Sequence, residues 1–179
     1  MELSNKIYAK TLFIHNISSF LIGGFGCFMD KNSVNFSEIS AKNIDTEEFG
    51  AFIYVFFNNS IIMQDSLLEN LRVLTYNGGV FYMKDSNILI LSNISLIKVQ
   101  CQEFGGFAYL SVFNSINCSN LKISDVFARI GNLIYSENNN RICFVNTSIF
   151  NEENQMTSSL IYTGIQSNLM FFMINSTIN

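Results

Sequence analysis

Apolar residues in this sequence form short runs in which every second residue is apolar, and Asn, Ser and Gly break these runs. A spacing of two is typical of β-strands, because successive side chains of a strand point to opposite faces. Helical repeats would need apolar residues three and four apart over ten or more positions. The pattern therefore predicts an all-β fold made of many short strands.

The same pattern repeats about every 27 residues along the chain. Each repeat opens with a pair of small residues, and the first members of these pairs are separated by 27, 28, 27, 26 and 27 residues. We call this place position 0, and it is occupied by Gly23, Gly50, Gly78, Gly105, Gly131 and Ser158. Position 9 is occupied by Asn32, Asn59, Asn87, Asn114 and Asn140, and then by Ser167. We expect a sharp bend with positive φ at position 0 and a second turn at position 9.

Apolar columns in the same repeat define the expected core. Position 11 is occupied by Val34, Ile61, Leu89, Ile116, Ile142 and Leu169. Position 13 is occupied by Phe36, Met63, Leu91, Cys118, Phe144 and Phe171. Position 18 is apolar in five repeats, with Ser176 as the exception in the last one. If one repeat stacks on the next about 4.8 Å away, like residues lie above like and fill one continuous core.

These columns predict a right-handed parallel β-helix of about six coils, with about three short strands in each coil. The hand follows from the strong bias of parallel crossovers. A leucine-rich repeat is excluded, because its strict leucine pattern is absent. We expect the β-helix to cover residues 23–179, whereas residues 1–22 fit the repeat poorly and predict an irregular coil, a cap or part of a preceding coil. Residues 170–175 are strand-like and no polar capping helix follows them, so both ends of the stack are expected to be open.

The Gly-Gly-x-x-Tyr start of the repeats, the Asn or Ser turn, and the later Phe144-Val145-Asn146 resemble the pectin-lyase-like parallel β-helix superfamily. Within it, the chain is similar to GG-repeat surface proteins of protists and to polymorphic membrane adhesins of bacteria. The resemblance covers about residues 23–179. The resemblance implies the β-helix fold. It also implies a surface or adhesion role, because members of the GG-repeat kind are mostly surface or adhesion proteins. The enzymatic members of the superfamily are polysaccharide lyases and hydrolases. The chain departs from the lyases because it has no proline and no basic cluster to assist proton abstraction from a uronic acid.

Composition removes several classes of partner. Charged residues make up 13% of the chain, the net charge is −4, and Lys and Arg are not clustered. Nucleic acids and anionic membrane surfaces attract basic patches, so neither is an expected partner. No apolar run reaches the ~20 residues of a transmembrane helix. Residues 1–19 lack the pattern of a signal peptide, so we expect that, if the protein is secreted, this chain is a piece of a longer one or its true start is missing.

Two carboxylates form the strongest candidate for chemistry. Glu38 and Asp65 share position 15 and should stack about 5 Å apart on adjacent coils. Such a pair could act in glycoside hydrolysis or bind Ca²⁺ through its oxygen atoms. The column continues, however, with residues that a solvated polar turn explains without chemistry, namely Asn93, Asn120 and Asn146. We therefore predict no catalytic residue, no metal and no cofactor, and keep Glu38 and Asp65 as the alternative.

Histidine and cysteine add little to this picture. His15 is the only histidine, and no acid or nucleophile motif stands near it. The four cysteines have no zinc-binding spacing. Cys118 falls on the core position 13 and is expected to be a small buried hydrophobe. Cys143 is one place out of register with Cys118, which leaves a disulfide between adjacent coils open as an alternative.

Seven Asn-x-Ser/Thr sequons suggest a secretory route. With 24 Asn and 28 Ser plus Thr in 179 residues, chance gives about four such sequons, so seven is a modest excess. The glycosylation candidates are Asn16, Asn35, Asn58, Asn93, Asn117, Asn146 and Asn175. Asn35 and Asn117 share position 12, between two inward positions, and should point outward where a glycan fits.

A tyrosine column is the most regular aromatic feature. Position 4 is occupied by Cys27 and then by Tyr54, Tyr82, Tyr109, Tyr135 and Tyr162. Position 3 is apolar as well, so one of these two adjacent columns must face outward. An outward tyrosine column could be ordinary surface packing, a lateral protein interface or a platform for sugars.

These expectations together favour a non-enzymatic structural or adhesion segment that is extracellular or on a cell surface. Its partners would be copies of itself or other chains in a surface assembly or filament, with glycans attached. The alternative is a carbohydrate-active enzyme (a polysaccharide hydrolase or lyase) or a carbohydrate-binding module.

Overall fold

A computed structural model describes residues 5–150, 159–164 and 168–178. Every strand pair among these residues is parallel, and the strands belong to two sheets that enclose one core. The strands are β1 (Asn5–Ser19), β2 (Gly26–Met29), β3 (Asn32–Thr46), β4 (Ile53–Phe56), β5 (Ser60–Val73), β6 (Phe81–Lys84), β7 (Ile88–Phe104), β8 (Ala108–Leu110), β9 (Ser115–Ser119), β10 (Lys122–Ile130), β11 (Ile134–Ser136), β12 (Arg141–Val145), β13 (Ser148–Phe150), β14 (Ile161–Thr163), β15 (Met170–Ile174) and β16 (Thr177–Ile178). The fold is a parallel β-helix of about six coils with a spacing near 27 residues, which confirms the predicted fold class.

Each coil contributes one short strand to one sheet and one long strand, or two shorter ones, to the other. The short sheet has the order β14-β11-β8-β6-β4-β2. The long sheet begins β1-β3-β5-β7, and from the next coil onward the long strand is split into pairs such as β9 with β10. The described part of the chain contains no helix, and therefore none that could span a membrane.

The predicted apolar columns form the core. Positions 11 and 13 are at most 3% exposed in the interior coils, as Ile116 and Cys118 illustrate at 0% and 3%. Phenylalanine rings add a stack of edge-on contacts inside the helix, with ring centroids 5.6 Å apart for Phe81 and Phe107. Burial on this scale supplies the main stabilising term, since each fully buried large side chain contributes about 1.5–3 kcal/mol.

The register of the last coil differs from the predicted one by two residues. Ile142 pairs with Phe171 and Phe144 pairs with Met173, whereas the sequence alignment placed Leu169 and Phe171 opposite them. Six residues separate β14 from β15, whereas four separate β11 from β12, and this difference of two residues shifts the whole strand. The apparent exception at position 18 disappears, because Ile178, and not Ser176, pairs with Ile149. Ser158 and Ser167 lie outside the described residues.

The N-terminal segment is more regular than predicted. Residues 5–19 form β1, which pairs with β3 at an offset of 27 residues. Ile7 pairs with Val34 and Ile14 with Ala41, so of the three alternatives that the sequence left open, β1 forms part of a preceding coil and is neither irregular nor a cap. The repeat alignment missed this strand because it relied on position 0, and residues 1–4 contain no glycine pair.

Residues with positive φ turn the chain at fixed places in each coil. Position 0 is such a place, with φ between 54° and 72° in the five described glycines, as predicted. A Cβ atom at Gly105 would lie 2.2 Å from the Ala108 carbonyl oxygen, so only glycine fits there. Position 15 and position 20 also have positive φ, for example Glu38 and Asn43 at 57° and 55°. These residues bend the long strand around the core.

Candidate functional site

The position 9 asparagines form a buried ladder through the core. The Oδ1 atom of each asparagine accepts hydrogen bonds from the backbone N and from the Nδ2 atom of the asparagine one coil earlier. The two distances are 2.9 and 2.8 Å from Asn32 to Asn59, 2.9 and 3.1 Å from Asn59 to Asn87, and 3.0 and 3.2 Å from Asn87 to Asn114. From Asn59 onward these side chains are at most 1% exposed, so the ladder joins coils and is closed to ligands.

Glu38 and Asp65 belong to an exposed polar ladder at position 15, which we call the polar corner. Thr11 Oγ1 donates to Glu38 Oε2 at 2.7 Å, and Asn93 Nδ2 donates to Asp65 Oδ1 at 2.8 Å. The ladder continues from Asn120 to Asn93 at 2.9 Å. Both candidate carboxylates are therefore bonded to the neighbouring coil on one side.

The charge state of Glu38 follows from these contacts. The hydrogen bond from Thr11 and the contact with Lys10 hold the pKa of Glu38 below its ordinary value. Lys10 Nζ lies 3.2 Å from Glu38 Oε1. A general acid needs a raised pKa, whereas this environment favours the ionised form of Glu38. Among the described residues, no three His, Cys, Asp or Glu side chains are grouped to bind a metal ion.

The tyrosine column faces outward and its rings are stacked face to face along the helix axis. Centroid separations are 5.0 Å for Tyr54 and Tyr82, 4.7 Å for Tyr82 and Tyr109, 5.2 Å for Tyr109 and Tyr135, and 5.3 Å for Tyr135 and Tyr162. The interplanar angles lie between 1° and 13°. Position 3 faces inward and is fully buried in the four coils from β4 to β11. Tyr82, Tyr109 and Tyr135 are therefore covered on both faces by their neighbours.

Aromatic residues just before position 0 cover part of the tyrosine column. The ring centroid of Phe49 lies 4.8 Å from that of Tyr82, and Phe104 lies 4.6 Å from Tyr135. Burial raises the pKa of Tyr82 and of Tyr109, and the Tyr109 hydroxyl also donates a short hydrogen bond to Glu137. The phenols of Tyr82 and Tyr109 therefore stay neutral well above the pH at which a free tyrosine ionises.

The seven sequons lie on the long sheet, its corners and the turn before it, and none lies on the tyrosine face. Asn35 and Asn117 are half-buried and alternate with buried residues, as expected for outward positions. Asn58 is exposed in the turn before β5. The side chains of Asn16, Asn93 and Asn146 take part in exposed ladders, and Asn175 is exposed at the same corner as Asn93 and Asn146.

The cysteines are all free thiols. Cys143 pairs with Asn117 on the outward side, whereas Cys118 is buried on the inward side. The two side chains point to opposite faces of the sheet, so the disulfide that the sequence left open does not form. Burial raises the pKa of Cys101 to about 12 and raises that of Cys118 as well.

Sequence reasoning missed two features of the surface. One is a second exposed asparagine ladder at position 20, in which Asn70 donates to Asn43 at 2.7 Å and Asn43 donates to Asn16 at 3.0 Å. The other is Phe113, a large aromatic residue that is 61% exposed and has a positive φ of 55°. The column at position 20 could have been found from its Asn spacing of 27, but nothing in the sequence marks Phe113.

A scan of family models, a search of curated proteins and a search of solved structures each found no match to this chain.

Proposed function

We propose that this chain is a non-enzymatic structural or adhesion segment of an extracellular surface assembly. The observation behind this proposal is that its polar side chains are used to join coils. The buried asparagine ladder and both exposed ladders run along the helix axis from one coil to the next. A side chain held in such a ladder is well placed for rigidity and poorly placed to bind and release a substrate.

Ion pairs repeat the same arrangement on the outside. Arg72 makes two hydrogen bonds to Asp45 of the previous coil, at 2.8 and 2.5 Å. Lys42 and Glu69 form a second pair across coils, with the Nζ and Oε2 atoms 2.6 Å apart. Exposed pairs contribute only about 0–1 kcal/mol each, but they fix the register of neighbouring coils. A rigid rod with a fixed repeat is a suitable spacer or display surface.

The carbohydrate alternative has weaker support. Sugars stack on the faces of aromatic rings, whereas Tyr82, Tyr109 and Tyr135 have both faces covered by neighbouring rings. Tyr54 and Tyr162, at the ends of the described column, each have a stacked ring on one face. The resemblance to the pectin-lyase-like superfamily and the surface location both stay predictions.

Two measurements on native material test this proposal. Surface biotinylation and glycosidase treatment of the source cells should show an exposed, glycosylated protein in a large assembly. A broad polysaccharide panel should give no turnover. A discrete monomer inside the cell would contradict the structural role, and turnover that disappears in Glu38→Gln or Asp65→Asn would establish the enzymatic alternative.

A further inference from the structure

The tyrosine column carries phenol groups that ring stacking alone does not require. Five of the seven tyrosines of the chain lie at position 4, and none of its 18 phenylalanines does. Phenylalanine would give the same contact between ring faces. It is also tolerated at the surface of this protein, where Phe57, Phe113 and Phe150 are exposed. Neither packing nor solubility therefore explains the choice of tyrosine, which indicates a role for the phenol group itself.

A phenol differs from a phenyl ring in hydrogen bonding, in acidity and in ease of oxidation. Hydrogen bonding accounts for one residue, because Tyr109 is the only phenol of the column that bonds to another described side chain. Acidity is unsuitable, since burial raises the pKa of Tyr82 and of Tyr109. Oxidation is the property that the whole column shares, because a phenol loses one electron far more readily than a phenyl ring. Cys27 begins the column at position 4, and a thiol is oxidisable as well.

We propose that the tyrosine column is a relay for one-electron oxidation, in which the radical settles on Tyr109 and the proton on Glu137. An external one-electron oxidant, such as an oxidising radical, takes one electron from the column. The O–H bond of Tyr109 breaks, its proton moves to the Glu137 carboxylate, and its electron passes through the neighbouring rings to the oxidant. The products are a neutral tyrosyl radical, a protonated Glu137 and the reduced oxidant. A one-electron reductant restores the phenol, because Glu137 returns the proton. This activity goes beyond the proposed structural role and does not depend on it.

The ring geometry provides a continuous path for the electron. Neighbouring rings from Tyr54 to Tyr162 have centroids 4.7–5.3 Å apart and interplanar angles of 1–13°. Near-parallel rings at this separation are in face contact, so no other group lies between their π systems. Strand pairing places each tyrosine directly over the next, and the path therefore needs no movement of the chain. The path reaches solvent at both described ends, because Cys27 and Tyr162 are exposed.

Tyr109 is the residue of the column best suited to hold the radical. It is 8% exposed and is the least exposed tyrosine of the column, so its radical is shielded from coupling with other molecules. Its hydroxyl donates a hydrogen bond to the half-buried Glu137 of the next coil. The proton acceptor is therefore already within reach when the electron leaves. The radical is expected to settle where its proton has this acceptor.

Light-driven oxidation from one end of the column tests the relay. Cys27 is exposed and pairs with Tyr54, so a ruthenium polypyridyl label on this thiol places a one-electron oxidant beside the first ring. Cys143→Ser in every chain prevents a second label. Electron paramagnetic resonance after a light pulse, with a sacrificial electron acceptor present, measures the yield and the rate of formation of the tyrosyl radical. We expect one long-lived neutral tyrosyl radical, and Tyr109→Phe should abolish it.

Two matched pairs of substitutions test whether the stacked phenols carry the electron. Tyr109 lies three coils beyond Cys27, about 14 Å along the axis. Tyr54→Phe with Tyr82→Phe keeps the ring stack but removes both oxidisable rings in between, and it should lose most of the Tyr109 radical. Tyr8→Phe with Tyr76→Phe removes the two phenols outside the column and should leave the yield unchanged. Circular dichroism checks the fold of each variant.

Three outcomes of this experiment would overturn the relay. The first is the absence of any tyrosyl radical in the labelled chain. The second is an unchanged yield in Tyr54→Phe with Tyr82→Phe, because the electron would then reach the oxidant by another route. The third is an equal loss in Tyr8→Phe with Tyr76→Phe, because position 4 would then have no special part in the transfer.

Glu137→Gln separates proton transfer from packing. Glutamine has nearly the same size and still accepts a hydrogen bond from Tyr109, but it does not take up the proton. The radical should form about a hundredfold more slowly, and its rate should rise with the concentration of buffer base, which replaces the carboxylate. With Glu137 in place, the rate should not depend on the buffer. Equal rates and equal buffer dependence in the two chains would overturn Glu137 as the proton acceptor.

Discussion

Removal of one rung of the buried asparagine ladder should destabilise the protein far more than removal of an exposed rung. Asn87 is fully buried. Its Oδ1 atom accepts from the backbone N and the Nδ2 atom of Asn59, at 2.9 and 3.1 Å. Its Nδ2 atom donates to the Lys84 carbonyl at 2.7 Å and to Asn114 Oδ1 at 3.2 Å. Asn87→Ala therefore removes four hydrogen bonds at once.

The magnitude follows from the groups that lose a partner. The backbone N–H of Asn59 would stay buried without its acceptor, which costs about 1–3 kcal/mol, whereas the Lys84 carbonyl still accepts from the Phe57 N–H at 3.0 Å. With the other lost hydrogen bonds and the small cavity, the predicted loss in the free energy of unfolding is about 2–4 kcal/mol. A loss of this size is a large share of the ~5–15 kcal/mol that stabilises a typical domain.

Asn93→Gly is the matched control. Asn93 is also a rung of an asparagine ladder, with bonds of 2.8 Å to Asp65 and 2.9 Å from Asn120, but it is exposed. Glycine retains its φ of 54° without strain, so the expected loss is below about 1 kcal/mol. Equilibrium unfolding in urea, followed by far-ultraviolet circular dichroism, measures both variants. Equal losses for Asn87→Ala and Asn93→Gly would refute the reasoning that burial gives the ladder its strength.

Three further predictions concern the positive φ of Phe113, the core register and the tyrosine column. Phe113→Asn should raise the free energy of unfolding by about 1 kcal/mol, because asparagine tolerates a φ of 55° better than an exposed phenylalanine does; an unchanged or lower melting temperature would contradict this. Ile116→Asp should unfold the chain by placing an unpaired charge in the core, whereas the adjacent outward Asn117→Asp should not, and a folded Ile116→Asp would show that the assigned register is wrong. The raised pKa values of Tyr82 and Tyr109 mean that the folded protein holds protons that the unfolded chain loses near pH 10, so the contribution of these two phenols to stability should be constant below about pH 10 and fall above it. Parallel pH titrations of phenol absorbance and circular dichroism check this, and ionisation of these phenols without loss of structure would contradict it.

The sequence predicted those parts of the fold that repeat as columns of one residue type. Ile116 and its counterparts could be assigned because an apolar residue recurs at the same place in each coil. Stacked coils place these residues above one another, so a column that stays apolar is a buried column. The last coil was misaligned because a turn of variable length precedes it. Ser176 on an otherwise apolar column was the signal of that shift. An insertion between two strands can be recognised from the sequence only where the following strand places an unexpected residue type in a column.

Orientation was harder to predict than position. Position 3 and position 4 are both apolar or aromatic, so alternation could not show whether Tyr82 points inward. The answer depends on Phe49 and Phe104, which cover the outward rings and come from a different part of the coil. A polar ladder was the predicted role of Glu38 and Asp65, with chemistry as the alternative, because Asn93 and Asn120 continue the same column.

The one-coil-per-layer arrangement has a mechanical consequence. Strand pairs join only adjacent coils. When the stack is pulled along its axis, each outermost described coil is therefore held by its hydrogen bonds to a single neighbouring coil. Each coil of 27 residues that peels away releases about 90 Å of extended chain and removes a layer only about 5 Å thick. The protein should therefore lengthen in steps under tension, one coil at a time, and absorb work at each step while the remaining coils keep their structure.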